Sequence, residues 1–318
     1  MSTRTTIEFD SHGTTCAAWF YTCGDPSPFD GQAGRPVVVM AHGLGGTKDS
    51  GLDPFARRLA EAGLAVWAFD YRGFGASGGA PRQHIRLAAQ LEDYRAAVAA
   101  AGRQPGVDRG RVVLWGVSLS GGHVLALTAE RADVCATVSM TPMVSGRSAG
   151  RHALAQHGPL AMAAATASGV RGALAARHGA PPAMLPLVGR PGERAALTAE
   201  GYYESYHAVA GPTWRNEVDA GIGLEIGGYR ADRRLDRVTA PVLVQIADFD
   251  RAAPPRAAAE AAFAARAEVR HYPCDHFDVF AGHHWFEPAV DDQIRFLTRA
   301  LATAPTATAR PERAAPGA

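Results

Sequence analysis

The chain has 318 residues, of which 47% are hydrophobic and 20% are charged, and its formal net charge is +1. This length suits one α/β sheet with an insertion, and it is enough to bury a large core. The balanced charge and the composition argue against a disordered chain, a nucleic-acid footprint and a charged-membrane binder, so small-molecule chemistry is the expected class of function.

The first half of the chain predicts a hairpin followed by alternating strands and helices. Residues 5–9 and 14–22 are rich in β-branched and aromatic side chains and are separated by Asp-Ser-His-Gly, which is typical of a β-hairpin. Apolar runs that read as buried strands follow at 36–41, 64–69, 112–115, 134–140, 241–246 and 269–272. Helix-compatible stretches such as 53–62 and 85–101 lie between several of them. This alternation predicts an α/β fold with a mostly parallel sheet and helices on both faces.

One long interval breaks the alternation. Residues 141–238 separate two successive predicted strands, far more than an ordinary crossover needs. The stretch 154–176 is alanine-rich and helix-compatible, four prolines then interrupt it, and the helical pattern resumes over 197–209. Open α/β sheets bind ligands beyond the carboxyl ends of their strands, where this insertion begins, so we expect a helical cap that excludes water from a pocket. A second lobe that only thickens the core is the alternative.

The predicted domain organisation follows from this interval. The α/β core comprises residues 1–140 and 239–302, and the helical cap insertion comprises 141–238. Residues 303–318 have no hydrophobic periodicity and are predicted to be a disordered tail.

A serine lies at a predicted reversal from strand to helix. Gly-Val-Ser-Leu-Ser-Gly occupies residues 116–121, directly after a predicted strand and before a helix-like run. This arrangement is typical of a nucleophile elbow, which lifts a serine oxygen above the sheet and leaves the next backbone N–H free to stabilise an oxyanion. Ser118 is therefore the candidate nucleophile. The usual pattern is Gly-x-Ser-x-Gly, and Ser120 departs from its last position.

A serine nucleophile needs a base to take its proton and an acid to hold that base. Asp248 and Asp250 end the strand predicted at 241–246, and His276 lies just past the last predicted strand. Ser, acid and His in this order is the chain order of α/β-hydrolases. Position alone leaves the acid open between Asp248 and Asp250, and further acids flank the histidine.

The loop after the strand at 36–41 is expected to provide a second oxyanion donor. It reads His-Gly-Leu-Gly-Gly, and its glycines let the backbone approach an anion closely. We expect the backbone N–H groups of Leu44 and Leu119 to form the donor pair, and His42 to anchor the loop rather than act as a base. A phosphate-binding loop is the alternative, but neither of the usual nucleotide-binding glycine spacings is present.

Together these residues resemble the α/β-hydrolase superfamily over residues 37–301. The segments 42–47, 69–79, 115–123 and 275–278 look like those of its dienelactone-hydrolase and X-prolyl-peptidase-like branch, which often carries serine at the position of Ser120. The resemblance implies that Asp250 orients His276, because residues 247–254 are similar to the family pattern Gly-x-x-Asp-x-x-x-Pro. It also implies acyl chemistry that needs no metal or organic cofactor.

The expected function is that of a serine hydrolase cleaving a carboxylic ester, thioester or lactone of a lipophilic small molecule through an acyl-enzyme. The aromatic residues Tyr202, Tyr203, Tyr206 and Trp214 in the predicted cap suggest an apolar pocket. Two alternatives stay open: an acyltransferase or acyl-eliminating lyase of a biosynthetic pathway that uses the same triad, and a non-catalytic binding protein on the same scaffold.

The expected partner is a small-molecule acyl ester, with no nucleic acid, and a homodimer stays open. The first residues lack the apolar core of a signal peptide, and no window approaches the length of a membrane span. We therefore expect a cytoplasmic location.

Overall fold

The computed structural model describes residues 2–24, 26–177 and 183–303. The predicted disordered tail lies outside the described residues from position 304 onward, whereas Thr303 belongs to the last helix. No helix in these described ranges is both long and apolar enough to cross a membrane.

A twisted sheet crosses the molecule, and all of its predicted strands are present. The strands of the described residues are β1 (Ser2–Ser11), β2 (Thr14–Cys23), β3 (Arg35–Ala41), β4 (Ala65–Phe69), β5 (Val107–Val117), β6 (Val134–Met140), β7 (Met184–Leu185), β8 (Val218–Asp219), β9 (Val242–Ala247) and β10 (Glu268–Tyr272). Eight of them form the main sheet in the order β1-β2-β4-β3-β5-β6-β9-β10, and β7 and β8 form a separate short pair. β2 is antiparallel to both β1 and β4, and the other neighbours in the main sheet are parallel.

Helices cover the centre of this sheet. They are α1 (Leu52–Glu61), α2 (Leu87–Ala101), α3 (Leu119–Glu130), α4 (Gly146–Arg177), α5 (Tyr202–Val209), α6 (Ile222–Gly227), α7 (Pro255–Ala264) and α8 (Phe286–Thr303), with a short 3₁₀ turn at Leu235–Arg237. Every residue of β4 and of β6 is buried, so the central strands are covered on both faces. The prediction of an α/β-hydrolase fold with a mostly parallel sheet is confirmed.

The inserted segment, residues 141–238, lies between β6 and β9 and differs from its prediction at two helix boundaries. α4 begins at Gly146, earlier than the predicted position 154, because Ser145 directly before it is a residue type favoured at helix N-termini. The helix is kinked at Gly158, next to Pro159, whose ring cannot continue the helical hydrogen bonds. The helix predicted over 197–209 begins only at Tyr202, because Leu197 instead bridges the backbone of Val188.

Candidate active site

Ser118 stands alone between the end of β5 and the start of α3, in a backbone conformation that few side chains adopt. Its φ of 59° and ψ of −120° lie outside the common regions for residues with a Cβ, which is typical of a strained functional turn. The turn is held by hydrogen bonds from Ser118 N–H to the Met140 carbonyl (2.9 Å) and from Met143 N–H to the Ser118 carbonyl (2.9 Å). Gly116 has no room for a side chain, since a Cβ there would lie 2.2 Å from the Ser120 carbonyl oxygen.

The unusual serine of this turn has a hydrogen-bonding role. Ser120 is fully buried, and its Oγ lies 2.8 Å from the hydroxyl oxygen of Tyr71, which follows β4. The buried hydroxyl of Ser120 therefore has a hydrogen-bond partner in Tyr71. The sequence does not indicate this partner, because Tyr71 and Ser120 are 49 positions apart along the chain.

The structure brings Asp250, and not Asp248, against His276. The His276 Nδ1 lies 2.7 Å from Asp250 Oδ2, and both residues are only 4% exposed. The other carboxylate oxygen of Asp250 accepts hydrogen bonds from the backbone N–H groups of Ala252 (2.8 Å) and Ala253 (2.6 Å), which fix its orientation. Asp248 instead pairs with the exposed His271, at 2.6 Å.

The charge of Asp250 decides the protonation behaviour of His276. Burial disfavours the imidazolium, but the carboxylate of Asp250 with its hydrogen bond, together with the charge of Asp275, outweighs burial, so the pKa of His276 is raised above its ordinary value. Because Nδ1 faces the carboxylate, Nδ1 carries the proton of the neutral ring and Nε2 is available as a base.

Ser118 and His276 line the same small cavity, of about 20 Å³. Its other lining residues are His42, Gly43, Leu44, Val117, Leu197, Tyr206, Phe277 and Phe280. The Ser118 hydroxyl and the His276 ring do not form a hydrogen bond within the described part of the chain, and such bonds commonly tighten only when substrate is bound. A larger, open depression of about 620 Å³ between α7 and β10 contains none of the predicted site residues.

The glycine-rich loop that follows β3 comes directly against Ser118. A Cβ on Gly43 would lie 3.1 Å from Ser118 Oγ. The Gly43 N–H donates to Nδ1 of His42 at 2.8 Å, whereas the N–H of Leu44 has no acceptor among the described residues. Leu119 is the first residue of α3, so its N–H has no partner within the helix. The two expected oxyanion donors are therefore both available for a ligand.

His42 anchors this loop as a neutral ring. The His42 side chain is buried. Burial is the main cause that lowers the pKa of His42 to about 4, and the nearby His276 lowers it further. With Nδ1 accepting the N–H of Gly43, the ring holds the loop in place. This arrangement agrees with the anchoring role expected for His42 from the sequence.

Of the four aromatic residues expected in the pocket, only Tyr206 lines the cavity. Tyr203 instead packs under the guanidinium of Arg190, with 4.2 Å between the Arg190 Cζ and the ring centroid. Tyr202 and Tyr206 also make hydrogen bonds to the loops around the site. Sequence reasoning missed these bonds because their partners lie far away along the chain.

The position of these groups at the carboxyl ends of β3, β5, β9 and β10 is that of the active site in an α/β-hydrolase. The family model described as "Serine aminopeptidase, S33" matches residues 32–279, and the chain belongs to this family. The predicted α/β-hydrolase superfamily and the predicted enzyme class, a serine-dependent α/β-hydrolase, are thereby confirmed.

Similar proteins extend over most of the chain. Quorum-quenching protein AidA of Acinetobacter baumannii (strain MDR-ZJ06) is 36% identical over 296 residues, which cover 92% of this chain and 94% of AidA. Polyketide transferase ATR5 of Stachybotrys chlorohalonatus (strain IBT 40285) is 32% identical over 200 residues, or 61% of this chain and 60% of ATR5. The structure of DcsB in complex with its substrate analogue matches with a TM-score of 0.78 at 22% identity, over 94% of this chain and 100% of DcsB, and shows the shared fold.

Proposed function

We propose that this protein is a serine hydrolase that cleaves a carboxylic ester, thioester or lactone of a lipophilic small molecule through an acyl-enzyme. The observation that carries the proposal is the buried pair of His276 and Asp250, 2.7 Å apart, of which His276 lines one cavity with the strained Ser118 of the elbow. A buried imidazole held by a carboxylate beside a serine is the arrangement that activates a hydroxyl as a nucleophile.

The proposed mechanism assigns one role to each group. His276 Nε2 removes the proton of Ser118 as its Oγ attacks the acyl carbonyl, and Asp250 stabilises the imidazolium. The backbone N–H groups of Leu44 and Leu119 stabilise the oxyanion, which contributes about 3 kcal/mol per donor. His276 then gives its proton to the leaving oxygen or sulfur, and water releases the acyl group by the same steps.

The lining of the cavity supports a lipophilic substrate. Leu44, Leu197, Phe277 and Phe280 surround the nucleophile, and the described lining contains no carboxylate that could bind a substrate amine. This absence makes peptide cleavage the less favoured reaction despite the name of the family. AidA, which matches 92% of this chain, is named for quorum quenching, and a small-molecule substrate is compatible with that name.

We further propose that the inserted segment of residues 141–238 is a cap over a core of residues 1–140 and 239–302. A cavity of about 20 Å³ has room for about one water molecule, whereas ligand pockets usually measure about 300–1,000 Å³. An acyl chain therefore enters only when lining side chains or the cap move. Placement in the dienelactone-hydrolase and X-prolyl-peptidase-like branch stays a proposal that rests on the Gly-x-Ser-x-Ser turn.

Acyl transfer is the second candidate reaction, and two observations favour it. ATR5 is named a polyketide transferase, and the small size of the cavity limits the number of water molecules beside an acyl-enzyme. Turnover in oxygen-18 water separates the two reactions. Hydrolysis through the acyl-enzyme places the label in the released acid, whereas transfer to an added alcohol or amine leaves the acyl product unlabelled.

A fluorophosphonate probe followed by a graded series of p-nitrophenyl esters and acyl thioesters tests the proposal. We expect labelling of the wild type, loss of labelling in Ser118→Ala, and retained labelling in the matched control Ser148→Ala. Among the described residues, the Ser148 hydroxyl has one partner, the exposed Arg151, from which it accepts a hydrogen bond. An unlabelled wild type, or equal labelling of Ser118→Ala, would show that the nucleophile is wrongly assigned and would favour a binding protein on this scaffold.

A further inference from the structure

One short helix of the inserted segment touches two loops of the active site. Tyr202 and Tyr206 lie four positions apart on α5 and therefore share one face of the helix. The Tyr206 hydroxyl donates to the backbone carbonyl of Leu44 at 2.9 Å. The Tyr202 hydroxyl donates to Asp275 Oδ1 at 2.9 Å, and Asp275 directly precedes His276.

We propose that Tyr206 and Tyr202 are positioning residues for catalysis: Tyr206 fixes the oxyanion loop and Tyr202 fixes the histidine loop relative to Ser118. The inference rests on the proposed roles of Ser118, Leu44 and His276. On this basis the inserted segment does more than cover the substrate, because it completes the geometry in which the oxyanion forms.

The oxyanion loop needs an external support because its own backbone is unusually free. Leu44 stands between glycines, and Gly45 has a φ of +63°, in the region that favours glycine. The hydrogen bond from Tyr206 fixes the peptide group that directly follows Leu44. Leu187 of the inserted segment packs on the same peptide, since a Cβ on Gly45 would lie 2.7 Å from Leu187 Cδ2. A donor held in place before the reaction stabilises an oxyanion better than one that must be ordered during it.

The surroundings of Tyr206 keep its hydroxyl on this carbonyl. Its side chain is only 3% exposed. The ring stacks on Trp214 with 5.0 Å between centroids and meets Phe277 at 5.4 Å and His42 at 6.3 Å. A buried hydroxyl without a partner is unfavourable, so the packing of the ring and the bond to Leu44 support each other.

The histidine loop is tied to the same helix through Asp275. Its carboxylate accepts the N–H of His276 at 2.8 Å and the N–H of Arg251 at 3.0 Å, besides the hydroxyl of Tyr202. Arg251 is the residue after Asp250. Asp275 therefore joins α5, the loop of the acid and the loop of the base at one carboxylate.

Tyr206→Phe tests the inference, with Tyr203→Phe as the matched control. Tyr203 lies on the same helix, its hydroxyl has no hydrogen-bond partner among the described residues, and it does not line the cavity. On a p-nitrophenyl ester we expect Tyr206→Phe to lower kcat by about ten-fold with KM within about two-fold, because the aromatic ring and the apolar lining stay while the donor loosens. Tyr203→Phe should match the wild type.

A trifluoromethyl ketone with the same acyl chain as the p-nitrophenyl ester gives a second measurement, which a lower stability of the protein alone would not change. It forms a tetrahedral adduct with the serine, so its inhibition constant should rise in Tyr206→Phe by about the same factor as kcat/KM falls. The second variant is Tyr202→Phe, in which the hydrogen bond from Tyr206 to the carbonyl of Leu44 stays intact. This variant should also lower kcat without raising KM. Unchanged kcat and inhibition constants in both variants, with only a lower Tm, would overturn the inference.

Fluorophosphonate labelling separates this inference from the proposed function. If the wild type is labelled at Ser118 and Tyr206→Phe reacts as fast as the wild type, the positioning role is wrong while the nucleophile stands. If the wild type is neither labelled nor active on esters, thioesters or lactones, the proposed function fails and the positioning role fails with it.

Discussion

Replacing Asp250 with asparagine tests the proposed catalytic pair most directly. The substitution keeps the size of the side chain and leaves an oxygen that can accept the N–H groups of Ala252 and Ala253, so the loop should keep its conformation. It removes the negative charge that lies 2.7 Å from the His276 ring and can reverse the tautomer of that ring. In a triad, loss of this carboxylate costs about 10⁴-fold in kcat, equivalent to about 5.5 kcal/mol of transition-state stabilisation.

The pH profile of the same variant has a predicted direction. In the wild type Asp250 raises the pKa of His276, so the acid limb of kcat/KM, where the base becomes protonated, lies above the ordinary pKa of histidine. Without the carboxylate of Asp250, burial is the largest remaining influence on the pKa of the ring, ahead of the charge of Asp275, and burial favours the neutral form. The acid limb should therefore move to lower pH in Asp250→Asn even though activity at every pH is lower.

The assay is kcat/KM for an activated ester, measured across the acid limb for both proteins. Asp248→Asn is the matched control, because Asp248 is more exposed than Asp250, belongs to the same loop and pairs with His271 instead of His276. We expect the control to stay within about two-fold of the wild type. Asp250→Asn activity within ten-fold of the wild type, or an acid limb that moves to higher pH, would refute the assignment of Asp250 as the partner of the base.

Three further substitutions test the structure around the site. In the wild type the Lys48 ammonium lies 2.6 Å from the buried carboxylate of Asp70, and Lys48→Met removes this partner. The free energy of unfolding, measured by urea denaturation, should fall by about 3–5 kcal/mol. A loss below about 1 kcal/mol would contradict a buried ion pair. Gly116→Ala places a Cβ 2.2 Å from the Ser120 carbonyl and should abolish fluorophosphonate labelling or folding, whereas a fully active variant would show that the elbow can shift. Leu197→Ala enlarges the cavity and should move the preference for p-nitrophenyl esters toward longer acyl chains; an unchanged chain-length profile would place the acyl group elsewhere.

The sheet and the turn that carries Ser118 could be predicted because their signals are local. Each buried strand is a continuous apolar run, and the elbow places Ser118 within a few residues of a strand end and a helix start. The choice between Asp250 and Asp248 is different, since both follow the same strand and local sequence does not show which of them meets the histidine. Resemblance to a family pattern favoured Asp250, and the contact with His276 appears only in the folded chain.

The positions of residues in the inserted segment could not be predicted for a related reason. Tyr206 and Leu44 are 162 positions apart, and no pattern near either residue indicates that they meet. The start of α5 was misplaced because residues before it favour a helix by composition but are held by backbone contacts with Leu187 and its neighbours. Tertiary contacts of this kind override local propensity, and they are the contacts on which the size of the cavity depends.

The order of the strands explains how the inserted segment reaches the candidate active site. β3, which precedes the glycine-rich loop, lies next to β5, which precedes Ser118, and β5 lies next to β6, where the inserted segment begins. A segment that leaves β6 and contacts the loop after β3 must therefore cross the end of β5, above Ser118. The insertion makes that contact through Tyr206 and meets the loop after β10 through Tyr202, so it spans the site from the oxyanion loop to the histidine loop. A change in this segment that alters which acyl group fits should accordingly also alter kcat.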